Sequence, residues 1–224
     1  MKAPVGRRRF RSLVSFGSGD TVVMKRLFLV AFAVLLGFGG VETNPPAAAE
    51  EDHLIGQFLV ATREMADPRF AESVIYLIRH DGTGAMGLVV NRPIAQGPLA
   101  DLLKALGQKG ETGDGTVRIH FGGPVESESL FILHSNDYAA KTTMFVGNGL
   151  GVSGGDDILQ AIARGQGPRQ TLFIFGYAGW GPGQLEAEIK SGAWFTIPAE
   201  TALIFDDQAE TKWDRATAKR KVKA

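Results

Sequence analysis

Apolar residues in this chain gather in short runs, each stopped by glycine, proline or a charged turn, which is the spacing of strands more than of long helices. The most informative stretch is TLFIFGYAGWGPGQLEAEIKSGAW, Thr171 to Trp194. Its opening run, Leu172-Phe173-Ile174-Phe175, is aromatic, β-branched and uncharged, and predicts a strand buried on both faces. Gly176, Gly179, Gly181 and Gly183 surround Tyr177 and Trp180 and predict a glycine loop of unusual dihedrals or close approach. Pro182 suits a first helical position. Leu185 and Ile189 then share the inner face of a helix, Glu186 and Lys190 pair on its wet side, and Gly192 caps its end.

The same pattern carries along the body. QFLVA (Gln57 to Ala61) predicts a short strand, and Asp67-Pro68 an N-cap and first-turn proline for one helical turn. SVIYLIRH (Ser73 to His80) and AMGLVV (Ala85 to Val90) predict two strands joined by the Asp81-Gly82-Thr83-Gly84 turn, with Asn91-Arg92-Pro93 as the stop. Leu99, Leu102, Leu103 and Leu106 fall at helical spacing before Gly107. Val117 to Phe121 predicts a strand running into the Gly122-Gly123-Pro124 turn. Leu130 to His134 and Thr142 to Val146 predict further strands. Asp156 to Ala163 predicts a helix with Ile158, Leu159 and Ile162 inward. Thr196-Ile197, Leu203 to Phe205 and a charged helix near Thr211 to Lys219 complete the chain. Strands come in neighbouring runs and helices are inserted irregularly, so the expected class is α+β, a single domain with a mixed sheet.

Composition narrows the chemistry. The chain has 224 residues and no cysteine, which excludes disulfides, thiolate metal sites, a cysteine nucleophile and a lipid-modified cysteine. Formal charge balances overall, but residues 50–210 hold 11 basic and 21 acidic residues, a net of −10. A body this acidic repels a phosphate backbone, so nucleic acid is not an expected partner. The basic residues of the tail, Lys219-Arg220-Lys221 among them, are expected to be solvated.

The first 49 residues read as a targeting segment. Lys25-Arg26 precedes an uncharged stretch over residues 27–41, which is short for a bilayer span of about 20 residues and fits a secretory signal. Small residues before Glu50 place the expected cleavage after Ala49, giving a periplasmic or exported protein. An uncleaved segment would instead be the only membrane attachment, and a cytoplasmic protein is the alternative localisation. Arg7-Arg8-Arg9-Phe10 has the look of a twin-arginine signal too far upstream of the apolar stretch, and Met24 is an alternative start. The expected organisation is a targeting segment over 1–49, a folded domain over 50–213 and a basic tail over 214–224.

Two glycine motifs invite enzymatic readings. Gly149 to Gly154 satisfies G-x-G-x-x-G, yet no Asp or Glu occurs between Asp157 and Glu186 to hold a ribose, so a glycine loop is expected and no cofactor. Gly151-Val152-Ser153-Gly154-Gly155 satisfies G-x-S-x-G, but all four histidines precede Ser153, an order foreign to that elbow. A His-Asp-Ser order with His80 or His134 stays open. No H-x-H or H-E-x-x-H spacing is present, so no metal site is expected. Trp180 is read either as a core anchor or as the lining of a cleft.

Longer motifs point to a family. Phe58 to Ala61, Asp67-Pro68-Arg69-Phe70, Ser73-Val74, His80, Gly84 to Pro93, Gly122 to Val125, Gly176 to Trp180 and Gly183 to Glu186 resemble the AlgH/YqgE family of bacterial proteins, over roughly Leu54 to Trp213. The resemblance implies a compact, partly barrel-like α+β fold with helices packed around the sheet. It implies no agreed catalytic residues and no established activity; the family's usual label, transcriptional regulator, rests on a genetic link to alginate production. Matching positions Asn91, Arg92, Gly122, Gly123, Trp180, Gln184 and Glu186 are the candidate binding surface. Arg63 departs from the proline that members often carry there. The signal-like N-terminus also departs, since members generally look cytosolic.

The expected function is therefore a non-catalytic binding or regulatory protein with an unknown protein or small-molecule partner. The alternatives are a transcriptional regulator, which no basic helix-turn-helix supports, and a serine hydrolase around Ser153.

Overall fold

A computed structural model describes residues 54–108 and 113–220. The targeting segment and its cleavage point lie outside the described residues, as do residues 221–224 of the tail. The chain forms β1 (Gln57–Ala61), β2 (Val74–Asp81), β3 (Gly84–Val89), β4 (Pro93–Pro98), α1 (Leu99–Ala105), β5 (Thr116–Phe121), β6 (Val125–Ser135), β7 (Met144–Phe145), β8 (Leu150–Ser153), α2 (Asp156–Ala163), β9 (Thr171–Trp180), α3 (Gln184–Lys190), β10 (Trp194–Pro198), α4 (Thr201–Phe205) and α5 (Lys212–Arg220). The fold is α+β, with a curled, half-barrel-like sheet surrounded by helices. Among the described residues no helix is long and apolar enough to cross a membrane.

The strands run in the order β10-β1-β2-β3-β9-β6-β8-β7, with β5 joined to β9 and β4 joined to β5. At the centre, β9 is antiparallel to β6 along one edge. Its other edge is shared: Phe173–Phe175 pairs parallel with Ile119–Phe121 of β5, and Ala178–Trp180 pairs antiparallel with Ala85–Gly87 of β3. Where β5 leaves and β3 takes over, Gly122 donates its N–H to the Phe175 carbonyl at 2.8 Å and accepts from Val89 N–H at 3.0 Å. A Cβ on Gly122 would lie 2.2 Å from the Gly176 carbonyl oxygen, one on Gly123 2.2 Å from the Tyr177 carbonyl, and one on Gly176 2.5 Å from the Gly123 oxygen. Only glycine lets the two main chains come this close.

Several expected boundaries change. Tyr177–Trp180 is the second half of β9 rather than a loop, because its backbone groups find partners on β3. Leu150–Ser153, expected as a glycine loop, is the strand β8 paired with β6. Pro93–Pro98 continues as an edge strand where a stop was expected, and β6 starts at Val125 instead of Leu130. The third helix starts at Gln184, after a left-handed Gly183, and not at Pro182. The charged helix expected near Thr211 to Lys219 is α5, with Ala216 buried, and Arg220, expected to be solvated, sets its guanidinium over the Phe195 ring at 4.6 Å.

Three apolar clusters cover the sheet. One lies under α4 and α5, with Leu203, Ile204 and Trp213 against Tyr76, Leu133 and Ile174. A second joins α1 and α2 to Ile119, Ile132 and Phe173. The third packs α3 through Leu185 on Trp180, Trp194 and Leu77. Two polar contacts reinforce the packing: the Trp213 indole of the first cluster donates to the Ala61 carbonyl of the third at 2.7 Å, and within the first the Tyr76 hydroxyl donates to the Val146 carbonyl at 2.9 Å.

The glycine crossing makes a direct test. Gly123→Ala is expected to prevent folding or lower the urea midpoint drastically, since backbone must move to admit the methyl. Gly107→Ala, left-handed at φ +77° with no atom of the described residues within 4 Å of the new carbon, is expected to lose only about 1–2 kcal/mol in the same denaturation experiment.

Candidate functional site

The residues singled out by sequence go to different parts of the sheet. Asn91 accepts from Val74 N–H and donates to the Glu72 carbonyl, both at 2.9 Å. Arg92 donates to the carbonyls of Arg69 and Ala71. Together they tie the turn before β2 to the end of β3. Gly122 and Gly123 form the crossing on β9. Trp180 is buried, its indole N–H donating to Glu188 Oε2 at 3.0 Å, and the same oxygen accepts from the Trp194 indole at 2.8 Å. The two rings meet edge to face at 6.0 Å. Gln184 accepts from Gly181 N–H and donates to Glu188 Oε1 at 2.8 Å. Trp180, Gln184 and the unforeseen Glu188 thus form one network. Glu186 lies apart from it, bonded to His80. Its wet-side neighbour Glu188 is turned inward because two indole donors would otherwise be buried without an acceptor.

Two of the described histidines are closed by their neighbours. His80 Nδ1 accepts from Leu54 N–H at 3.3 Å, which leaves the proton on Nε2 to meet Glu186 at 2.6 Å. That bond and the Glu186 backbone hold the Glu186 carboxyl below its ordinary range, the backbone contribution being larger. His80 and His134 stand on β2 and β6, which are not neighbours, so the two rings do not combine.

His134 and Ser153 do meet. Register places β8 beside β6, and Ser153 Oγ lies 2.9 Å from His134 Nε2. His134 Nδ1 donates to the Ser135 carbonyl at 2.8 Å, so in the neutral tautomer Nε2 accepts from the serine hydroxyl. Thr143 Oγ1 lies 2.7 Å from Ser153 Oγ and accepts from Ala140 N–H at 2.7 Å. The chain of hydrogen bonds runs one way and ends on a carbonyl. Among the described residues no carboxylate orients the ring. His134 is 0% and Ser153 1% exposed, so this geometry is a closed strut linking β6, β8 and the approach to β7.

His120 is different. Along β5, Val117 and Ile119 belong to the cluster under α1 and α2, which turns Thr116, Arg118 and His120 to the opposite face. There the strand lines a cleft of about 270 Å³ with Gln96, Thr171, Leu172, Phe205, Asp206 and Asp207. His120 is 1% exposed, and among the described residues its Nδ1 has no partner at hydrogen-bond geometry. Burial, then the charges of Lys212 and Arg118, push its pKa down to about 3; the carbonyls of Phe173 and Arg118 pull weakly the other way. Arg118 donates through Nη1 to the Asp207 carbonyl at 3.0 Å. Lys212, the first residue of α5, reaches back from behind the cleft to the Ile204 carbonyl at 2.5 Å, near the end of α4, and lies 3.8 Å from Asp206. Its side chain is wholly buried, which lowers its pKa to about 8 despite Asp206.

Sequence reasoning treated His120 only as one of four histidines and Lys212 only as part of a charged helix. The alternation of Thr116, Arg118 and His120 with apolar neighbours was the available signal; the fold of α4 and α5 over it had none. Among the described residues no group of three or more His, Asp or Glu is placed to hold a metal ion.

Two outcomes follow from this geometry. Trp180→Ala is expected to lower stability by about 3–5 kcal/mol by opening a cavity and removing one of the two indole donors to Glu188, measurable by chemical denaturation. For His120, the unfolded chain takes up its proton near pH 6.5 and the folded chain near 3. Acidification between those values therefore draws the chain toward unfolding. His120→Leu is expected to flatten that acid limb in denaturation midpoints measured across the same window.

Comparison with known proteins places these features. A family model described as AlgH-like matches residues 58–224. A UPF0301 protein of Methylococcus capsulatus is 48% identical over 161 residues, covering 72% of this chain and 88% of that protein. One from Cereibacter sphaeroides is 44% identical, covering 71% and 88%. The solution structure of the AlgH protein from Pseudomonas aeruginosa, 40% identical, superposes with a TM-score of 0.64 over 76% of this chain and 90% of that one. A crystal structure of a Corynebacterium diphtheriae protein shares the fold at 21% identity, with a TM-score of 0.59 and coverage of 80% and 90%. With its match extending over nearly all the described residues, the chain belongs to the AlgH-like, or UPF0301, family.

Proposed function

We propose that this protein is a non-catalytic binding protein that takes a small polar ligand into the cleft between β5 and the end of α4. The observation that carries this is the buried, unpartnered Nδ1 of His120 on the cleft wall. Buried polar atoms are almost always bonded, and an open one in a cleft supports a ligand partner. The contrast within the chain adds support: His80 and His134 are bonded through both ring nitrogens. The acidic body supports a ligand other than nucleic acid. The signal-like N-terminus adds that binding takes place in the periplasm or outside the cell.

A screen of small polar fragments against the isotopically labelled mature chain tests this. Amide shifts are expected at Thr116–His120 and Phe205–Asp207, and to disappear in His120→Leu with the fold intact. Shifts collected around Trp180 and Glu186 would reject the cleft and favour the surface that sequence motifs suggested.

Serine hydrolysis is the second reading, and one observation favours it: the 2.9 Å separation of Ser153 Oγ and His134 Nε2. Burial of both groups and the carbonyl on Nδ1 oppose it. A fluorophosphonate probe is expected to leave Ser153 unlabelled in the native protein; stoichiometric labelling that is lost in His134→Ala would establish the hydrolase.

A further inference from the structure

Resting on that cleft, we infer that its ligand carries an oxyanion, a carboxylate or a phosphate group, held by Arg118 and His120. Local charge is the first reason. Arg118, Asp206 and Asp207 line the cleft, and Lys212 and Arg215 on α5 stand behind it against Asp206, three cations to two carboxylates in all. Both carboxylates are already engaged: Asp206 with Arg215 at 2.7 Å and Lys212 at 3.8 Å, and Asp207 with Arg118 at 3.4 Å. One positive charge is left over, in a body whose other charges are predominantly acidic. A single bound negative charge completes the set.

The second reason is the kind of hydrogen-bonding group left open. Arg118 engages Asp207 through Nη1, which leaves the planar donors Nε and Nη2 for a forked contact with two oxygens. Among the described residues His120 Nδ1 is buried without a partner, and with the neutral ring's one proton on Nδ1 it is a third donor. The hydroxyls of Thr116 and Thr171 on the lining supply more. A cation would meet the opposite arrangement, with Arg118 and Lys212 repelling it and both carboxylates already paired.

The inference also accounts for an oddity of α5. Lys212 is buried where its ammonium has one carbonyl at hydrogen-bonding distance and a carboxylate at 3.8 Å. An anion in the adjacent cleft would compensate that charge without touching it, so occupancy of the cleft would tighten the seating of α5 on α4.

The test uses the full-length labelled protein with the His120 ring and the Arg118 side chain followed by NMR. Sodium phosphate, sodium acetate and glycerol are titrated separately at constant ionic strength. Phosphate or acetate is expected to give saturable shifts at both residues, and the stronger of the two identifies which oxyanion the cleft prefers. In Arg118→Gln the affinity is expected to fall about tenfold or more, as for loss of a charge-assisted fork. Arg118→Lys, which keeps the charge, is expected to fall less, and serves if the glutamine variant does not fold. Lys190→Gln on α3 is expected to change nothing. Saturable shifts with glycerol alone would overturn the oxyanion while leaving the cleft as a ligand site. Silence of His120 and Arg118 toward the three probes and toward the fragment screen would overturn both.

Discussion

The structure depends on a close approach of main chain to main chain at the middle of β9. One edge of that strand serves two partners of opposite direction, β5 and then β3, and the exchange occurs within a few residues. Gly122 bridges them by giving its N–H to β9 and its carbonyl to β3. Gly123 and Gly176 remove the side chains that would hold the strands apart. Without this crossing the β4–β5 arm, joined to β9 through the parallel strand β5, would have no place on the sheet, and the face carrying Arg118 and His120 would not meet α4. A mixed sheet is ordinarily limited by such junctions, because each change of partner strands backbone donors and acceptors. Here glycine backbone satisfies them directly.

The buried polar groups sort themselves by whether the fold supplies a partner. Glu188 accepts from two tryptophans, His80 stands between Leu54 and Glu186, and His134 closes a chain from Thr143 through Ser153. These networks fix strand register and helix position, and they use residue types that elsewhere perform chemistry. A histidine within hydrogen-bond distance of a serine is therefore a weak sign of catalysis when both are sealed and the outer ring nitrogen meets a carbonyl. His120 gains its interest from the opposite condition. Its cleft is a by-product of topology: β5 is carried out from β9, α4 ends short, and the chain must turn before α5 returns along the sheet.

Much of the scaffold was legible along the chain. The hairpin of β2 and β3, the helices at Leu99 and Asp156, the strand at Leu172 and the glycine stop at Gly192 follow from local periodicity and turn chemistry, which act over a few residues. The motifs of the AlgH-like family were also legible, since they are continuous in sequence. What failed was any element whose identity depends on a distant partner. Leu150–Ser153 has the glycine content of a loop and becomes a strand because β6 offers its edge. Tyr177–Trp180 likewise becomes a strand because β3 does. The inward turn of Glu188 could not be foreseen, because Trp180 and Trp194 approach it from two other strands.

By itself the sequence determined the class of fold, the family and the acidic character of the body, because composition and short-range pattern are properties of the chain alone. The tertiary structure alone decided which polar residues were consumed and which stayed open. Arg118 and His120 on β5, Asp206 after α4 and Lys212 on α5 lie far apart along the chain. Only the packing of α4 and α5 over the sheet brings Arg118 against Asp207 and seals Lys212 beside Asp206, where burial changes what each group is able to bind.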